Sequence, residues 1–252
     1  MKPCTDRARV IVVEDEPLFK ELLGITLSRE AGLEVVGQAE DGEGAIRLAE
    51  ELLPDAVLMD IELAGKLNGI EAGISIKERH PDIGVVILSS HTAQSQLKQI
   101  PFNDSSGWGY LLKQSAPNLE TVVRAIEGVI RGMVILDPAV VIGLRPRQGS
   151  PIALLSPRQQ EVLELIAQGY SNAGIAERLF LKEKSVETYI NGIYQTLGVS
   201  GERDVHARVQ ATLQYLEHSR GNPRPRPEAD VRDRGDGAGR ADRSRYAGHT
   251  AA

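Results

Sequence analysis

Cysteine, aromatic residues and long apolar runs are scarce in this chain of 252 residues. The single cysteine, Cys4, excludes both a disulfide scaffold and a multi-cysteine metal site. Aromatic residues make up 4% of the chain, so its cores must be mostly aliphatic. No apolar run approaches the roughly 18 residues of a transmembrane helix, and no signal-peptide segment precedes the first acidic residues. We therefore expect a cytoplasmic protein without a membrane partner.

Charge is distributed unevenly along the chain. Residues 1–144 carry 13 basic and 22 acidic side chains, a net charge of −9, whereas residues 145–218 are neutral and residues 219–252 carry +3. An acidic first half disfavours nucleic acid as its ligand and suits a cation site. The neutral middle lacks the basic footprint expected of a DNA-binding domain. The length allows two ordinary domains, which such a difference in charge supports.

Five short apolar runs alternate with amphipathic segments over residues 9–131. The runs are β-branched or leucine-rich and nearly continuous, which is typical of strands buried on both faces of a parallel sheet. They lie at 9–13, 33–39, 55–60, 83–90 and 109–113. The segments between them have helical spacing, apart from a polar stretch at 92–108 whose helix is poorly defined. This order predicts a doubly wound α/β domain with a five-stranded parallel sheet.

The remainder of the chain divides into three parts. Residues 132–153 are predicted as a linker, with a start that can pack on the first domain and a flexible RPRQGSP stretch. Residues 154–217 show only helical periodicity, with Ser156 as a helix N-cap. Residues 218–252 are rich in Arg, Asp, Gly and Pro and have few apolar side chains, which predicts a disordered tail.

Polar side chains follow the predicted strands at the edge where α/β sheets bind ligands. The first strand ends in Glu14 and Asp15, the third in Asp60, the fourth in Ser89, and the fifth in Lys113. Carboxylates that face one crevice repel each other and need a cation, and hard oxygen ligands favour Mg²⁺. A metal, a hydroxyl and an ammonium together can hold a phosphoryl group, and an aspartate can be its covalent acceptor.

The segments VIVVEDEP, VLMDIELAGKLNGIEA, VVILSSH and GYLLK resemble the receiver domain of two-component response regulators over residues 8–131. The resemblance implies a flavodoxin-like fold and a phosphoryl group that Asp60 accepts from a sensor histidine kinase. The same resemblance implies that Mg²⁺ is the cofactor. Its ligands would be Glu14, Asp15, Asp60 and the backbone of Glu62.

The receiver resemblance also assigns the residues that respond to phosphorylation. Ser89 takes the place of the family's switch serine or threonine, and Tyr110 matches the aromatic residue whose ring turns inward on activation. Lys113 matches the lysine that is typical of the family.

Residues 154–212 are similar to the LuxR/NarL-type helix-turn-helix effector domain. The resemblance rests on LSPRQQEVLELIAQGYSNAGIAERL followed by KSVETYINGIYQTLGVS. It implies a recognition helix over about 183–197 and a fourth helix over 202–217 that often carries the dimer contact. The implied DNA-binding residues are Lys182, Lys184, Ser185, Glu187, Thr188 and Asn191.

Two positions of the recognition helix depart from the family pattern. Glu187 stands where many relatives have lysine, and Tyr189 replaces a histidine. A glutamate in the major groove can accept a hydrogen bond from cytosine N4, but it repels phosphate. It can equally point away from DNA and pair with Lys184 or Arg203. A neutral domain predicts weak non-specific affinity, so specific binding would need dimerisation or the basic tail.

We therefore expect a phosphorylation-gated transcription factor that binds double-stranded DNA as a homodimer, with RNA polymerase as a further partner. The alternative is a phosphorylation-dependent protein-interaction module whose helical domain does not read DNA. A Mg²⁺-dependent phosphatase is disfavoured, because Glu62 stands where such enzymes usually have a second aspartate. We expect no enzymatic activity.

Overall fold

The computed structural model describes residues 7–30, 32–90, 94–97, 99–101, 107–199 and 204–221. Its first part is a parallel sheet with the strand order β2-β1-β3-β4-β5-β6. The strands are β1 Ala8–Val13, β2 Leu33–Ala39, β3 Ala56–Asp60, β4 Gly84–Ser89, β5 Trp108–Leu112 and β6 Val134–Leu136. The order reverses between β1 and β3, so a crevice opens there at the carboxyl ends of the strands.

Helices cover both faces of this sheet. They are α1 Pro17–Ser28, α2 Gly42–Leu52, α3 Gly69–Arg79, the short α4 Gln94–Leu97 and α5 Leu119–Ile130. Alternate residues of β1 pack to opposite sides, with Ile11 in the cluster that contains α2 and α3 and Val12 in the cluster that contains α1 and α5. Both faces are therefore buried, and the predicted doubly wound α/β architecture is confirmed.

The sheet has a sixth strand among the described residues, where the sequence predicts five. Strand β6 comes from the start of the predicted linker and pairs in parallel with β5, opposite Trp108 to Tyr110. Gly132, with φ of 76°, lets the chain turn back after α5. A run of three apolar residues, Val134–Leu136, is too short to predict a strand. They form one because the edge of β5 offers backbone groups for pairing.

The rest of the predicted linker is also regular structure. Helix α6 spans Pro138–Gly143, and strand β7, Leu144–Pro146, pairs antiparallel with β8, Ser219–Gly221. The predicted flexible stretch thus begins in a strand, and the first residues of the predicted disordered tail supply its partner. Backbone N–H and C=O groups of each strand form hydrogen bonds with the other strand. Local composition does not predict such pairing between distant segments. The rest of the tail, residues 222–252, lies outside the described residues.

The second part is helical, as predicted. Its helices are α7 Pro157–Ala167, α8 Asn172–Leu179, α9 Glu183–Leu197 and α10 Asp204–Glu217. Ser156 caps α7 in a capping box with Gln159, and Ser171 caps α8 by accepting from Gly174 N. Helix α9 has the bounds predicted for the recognition helix. In the described residues no helix is long and apolar enough to cross a bilayer.

Helix α5 contacts the turn between α7 and α8. The ring of Tyr170 lies under two guanidinium groups, 4.0 Å from that of Arg124 and 4.3 Å from that of Arg178. Arg124 Nε also donates to the carbonyl oxygen of Gln168 at 3.0 Å. A Cβ at Gly169 would lie 2.6 Å from Ile135 Cδ1 on β6. The helical domain therefore packs against both α5 and the sixth strand.

Asp137 fastens β6 to β5, and its removal should destabilise the protein. Its fully buried carboxylate accepts from Leu112 N at 3.0 Å and from Ala139 N at 2.7 Å through different oxygens. We expect Asp137→Ala to lower the free energy of unfolding by about 2–4 kcal/mol, since it removes a helix cap and leaves a buried N–H without its acceptor. Urea denaturation followed by circular dichroism measures this. The control Asp41→Ala removes one cap bond, and equal costs for both variants would contradict the expectation.

Lys77 should make stability rise with pH in the alkaline range. Its buried ammonium donates to the carbonyl oxygens of Pro81 and Ile83, each at 3.0 Å, and burial lowers its pKa from 10.5 to about 8. Between these pH values the unfolded chain binds more protons than the native one. The free energy of unfolding should therefore gain up to about 3 kcal/mol as pH rises from 8 to 10.5. The gain should vanish in Lys77→Met and persist in the exposed control Lys66→Met, as urea midpoints will show.

Candidate phosphorylation site and nucleic-acid interface

Two buried carboxylates meet in the crevice between β1 and β3. Asp60 is the last residue of β3 and Glu14 directly follows β1, and the two are 2% and 0% exposed. Helix α3 begins beside them, because Gly69 N donates to Ile61 O at 2.9 Å. A Cβ at Gly69 would lie 1.9 Å from the carbonyl oxygen of Asp60. Only glycine allows this approach, which holds the start of α3 against the end of β3.

Lys113 neutralises part of this charge. It follows β5, and its Nζ lies 2.8 Å from Asp60 Oδ2 and 2.8 Å from Glu14 Oε2, and donates to Glu14 Oε1 at 2.9 Å. The side chain of Asp15 is exposed beside the pair. One carboxylate oxygen from each of Glu14, Asp15 and Asp60 lies within 4.8 Å of the others. The structure thus brings together the three predicted metal-ligating carboxylates and the predicted lysine.

The single positive charge of Lys113 does not neutralise the three carboxylates of Glu14, Asp15 and Asp60. Burial raises the pKa of Glu14 and of Asp60, and hydrogen bonds from Lys113 oppose the increase. For Lys113, burial lowers the pKa, but its hydrogen bonds to Asp60 and Glu14 and the attraction of their charges together raise it. The buried Asp60 Oδ1 has no donor in hydrogen-bond geometry among the described residues. A carboxylate set with an oxygen still available fits a hard divalent cation such as Mg²⁺.

The predicted switch residues lie at the ends of the neighbouring strands. Ser89 ends β4 and is buried, and Tyr110 on β5 has its ring turned fully into the interior. Both hydroxyls donate to Gln96 Oε1 on α4, at 2.9 Å from Ser89 and 3.2 Å from Tyr110. Sequence reasoning missed Gln96, because it lies in a polar segment without a motif. The side chain of Glu62 is exposed beyond Asp60.

The candidate DNA-binding residues lie at the start and along one face of α9. Val186, Ile190 and Ile193 are buried against the other helices. The opposite face is open: the side chains of Lys182, Lys184, Thr188 and Asn191 are exposed, and those of Ser185 and Glu187 are partly so. The structure therefore presents all six candidates on an accessible surface.

Glu187 pairs with Lys184 on this face. Its Oε2 lies 2.9 Å from Lys184 Nζ, and Thr188 Oγ1 donates to the carbonyl oxygen of Lys184 at 3.0 Å. The other suggested partner, Arg203, lies outside the described residues. The pair offsets the charge of Lys184 in the first turn of α9, which agrees with the neutral charge of the domain.

Two family models match the chain, one over the α/β domain and one over the helical domain. Residues 10–126 match the response regulator receiver domain, and residues 153–209 match the bacterial regulatory proteins of the luxR family. The transcriptional regulatory protein DegU of Brevibacillus brevis is 30% identical over 234 residues, which cover 84% of this chain and 94% of that protein. The transcriptional regulatory protein NarL of Mycobacterium tuberculosis is 32% identical over 202 residues, covering 79% and 91%.

A solved structure, the receiver domain of NarL from Mycobacterium tuberculosis, covers 49% of this chain and 99% of its own. Its sequence identity is 28% and its TM-score is 0.43. The family matches favour DNA reading over the protein-interaction alternative, and they indicate a transcription regulator, not an enzyme. The chain belongs to the LuxR-type response regulators, phosphorylation-dependent transcription factors with a receiver domain and a helix-turn-helix DNA-binding domain.

Proposed function

We propose that Asp60 is the phosphoacceptor, and that a sensor histidine kinase supplies the phosphoryl group. The observation that carries this is the buried Asp60 carboxylate, whose Oδ2 lies 2.8 Å from Lys113 Nζ and whose Oδ1 has no side-chain hydrogen-bond partner in the described part of the chain. An oxygen of Asp60 would form the new bond to phosphorus, while the bond from phosphorus to the kinase histidine breaks. Glu14, Asp15, Asp60 and the backbone of Glu62 would hold Mg²⁺. The bound ion would neutralise charge on the phosphoryl oxygens.

Ser89 and Lys113 would then bind the phosphoryl oxygens. Ser89 ends β4 and Lys113 follows β5, so both lie at the same edge of the sheet as Asp60. Such binding would shift the population between two arrangements of the β4 and β5 ends, and Tyr110 on β5 would respond to it. A phosphoryl group on Asp60 would thereby act on residues at the same edge of the sheet.

Strand β6 provides a route from this site to the DNA-binding domain. Asp137 N donates to Tyr110 O at 2.7 Å, and the Asp137 carboxylate accepts from Leu112 N. On the other side, Tyr215 of α10 donates to the carbonyl oxygen of Val141 in α6. We assign residues 8–131 to the receiver, 132–153 to the connection that includes β6, 154–217 to the DNA-binding domain and 218–252 to a tail.

Dimerisation is the step that we propose phosphorylation controls. The face of α9 is already open, so uncovering that helix is not required. A neutral domain gains little from phosphate attraction, and two copies on paired half-sites double its contacts to double-stranded DNA. The bound homodimer would act on transcription through RNA polymerase.

Replacing Asp60 should abolish the response to a phosphodonor. With acetyl phosphate and Mg²⁺, we expect the wild type to dimerise and to bind its own promoter region at least about tenfold more tightly, since pairing couples two sites. Asp60→Asn should show the affinity of the untreated wild type under both conditions, and so should the wild type in EDTA. Analytical ultracentrifugation and gel shift measure the two effects.

The matched control for this variant is Asp82→Asn, which removes an exposed carboxylate before β4, at the opposite edge of the sheet. It should respond as the wild type does. Equal promoter binding by the wild type with and without acetyl phosphate would contradict gating by Asp60.

Glu187 should determine part of the base preference. In the groove it can accept from cytosine N4, a contact worth about 1–3 kcal/mol of discrimination. We therefore expect Glu187→Ala to lose preference at one base pair of a site selected from random DNA. Its affinity for non-specific DNA should rise, because a charge that repels phosphate is gone. The control Glu217→Gln on α10 removes an exposed charge outside this face, and an unchanged base preference in Glu187→Ala would refute the assignment.

A further inference from the structure

Gln96 connects the two switch side chains through a single atom. Its Oε1 accepts from Ser89 Oγ at 2.9 Å and from Tyr110 OH at 3.2 Å. Ser89 is 2% exposed and Tyr110 is fully buried, so water does not readily replace these bonds. Gln96 itself is half-buried on α4, between the ends of β4 and β5.

The bond from Ser89 to Gln96 conflicts with the role proposed for Ser89. A serine hydroxyl has one proton to donate. Strands β3 and β4 pair in parallel, with Asp60 opposite Leu88, so Ser89 lies one residue beyond the register position of Asp60. A phosphoryl group on Asp60 adds three strong acceptor oxygens at this edge of the sheet. Ser89 can donate its proton to Gln96 or to a phosphoryl oxygen, but not to both.

The relative strength of the two bonds determines the outcome. A hydrogen bond to a charged acceptor is about twice as strong as one between neutral groups. The phosphoryl group therefore displaces Gln96, but the lost bond reduces the net gain. Tyr110 can keep its bond to Gln96 throughout, because Gln96 Oε1 accepts from the two hydroxyls independently.

We propose that Gln96 is a positioning residue that competes with the phosphoryl group for the proton of Ser89. It thereby sets the phosphoryl occupancy at which the receiver changes arrangement. The inference rests on the proposed function, since it takes Asp60 as the phosphoacceptor and Ser89 as a phosphoryl ligand.

The test uses the full-length protein, Mg²⁺ and beryllofluoride as a mimic of the phosphoryl group, with bound fluoride followed by fluorine NMR. Gln96→Leu removes the competing acceptor, so the beryllofluoride midpoint should fall about two- to tenfold, as for one neutral hydrogen bond. Gln96→Glu has nearly the same shape but is a stronger, charged acceptor. Its midpoint should rise. A side chain with a merely structural role would not give opposite shifts.

Two controls isolate the contact with Ser89. In a Ser89→Ala background the competition is gone, so Gln96→Leu should no longer change the midpoint. Gln99→Leu changes an exposed glutamine on the same segment and should leave the midpoint at the wild-type value. Thermal unfolding curves confirm that each variant is folded, and Gln96→Glu carries the test if Gln96→Leu is not.

The outcomes distinguish failure of the Gln96 inference from failure of the proposed phosphoacceptor role of Asp60. If the wild type binds beryllofluoride but the Gln96 variants bind it with the same midpoint, only the Gln96 inference is overturned. An equal shift from Gln96→Leu with and without Ser89 would do the same. Failure of the wild type to bind beryllofluoride at all would overturn the proposed role of Asp60.

Discussion

The bridge from the Lys113 ammonium to two buried carboxylates constrains the whole receiver half. Glu14 and Asp60 are almost inaccessible to water, and like charges at this distance are unfavourable without a cation. The Lys113 ammonium can contact both carboxylates only if the carboxyl ends of β1, β3 and β5 lie side by side at one edge of the sheet. The sheet register and the start of α3 at Gly69 keep them there. The remaining negative charge makes the crevice suited to a divalent cation.

The end of β5 connects this crevice to the rest of the chain. It carries Lys113 on one side, and through backbone and carboxylate bonds of Asp137 it holds β6 on the other. Strand β6 then packs against the turn that contains Gly169, and Tyr170 of that turn lies between arginines of α5 and α8. The end of β5 is therefore joined through packed and hydrogen-bonded residues to the helical domain.

Much of this arrangement could be predicted from local sequence. The apolar runs gave strands whose bounds differ by at most one residue from those observed, because strands buried on both faces are nearly continuous apolar segments. The family likeness predicts a helix over about 183–197, and α9 spans Glu183–Leu197. Gln96 and β6 were not found, since neither has a periodic pattern. Both depend on contacts with β5 made across the fold.

The sequence by itself determined the order of the first five strands, the polar residues at their ends and the acidic character of the first half. These follow from periodicity and residue type, which are local properties. Only the tertiary structure decided that Lys113 bridges Glu14 and Asp60 and that Gln96 accepts from the hydroxyls of both Ser89 and Tyr110. Burial and distance determine those partners. The sequence does not show which residues that are distant in the chain come within hydrogen-bond distance of each other in the fold.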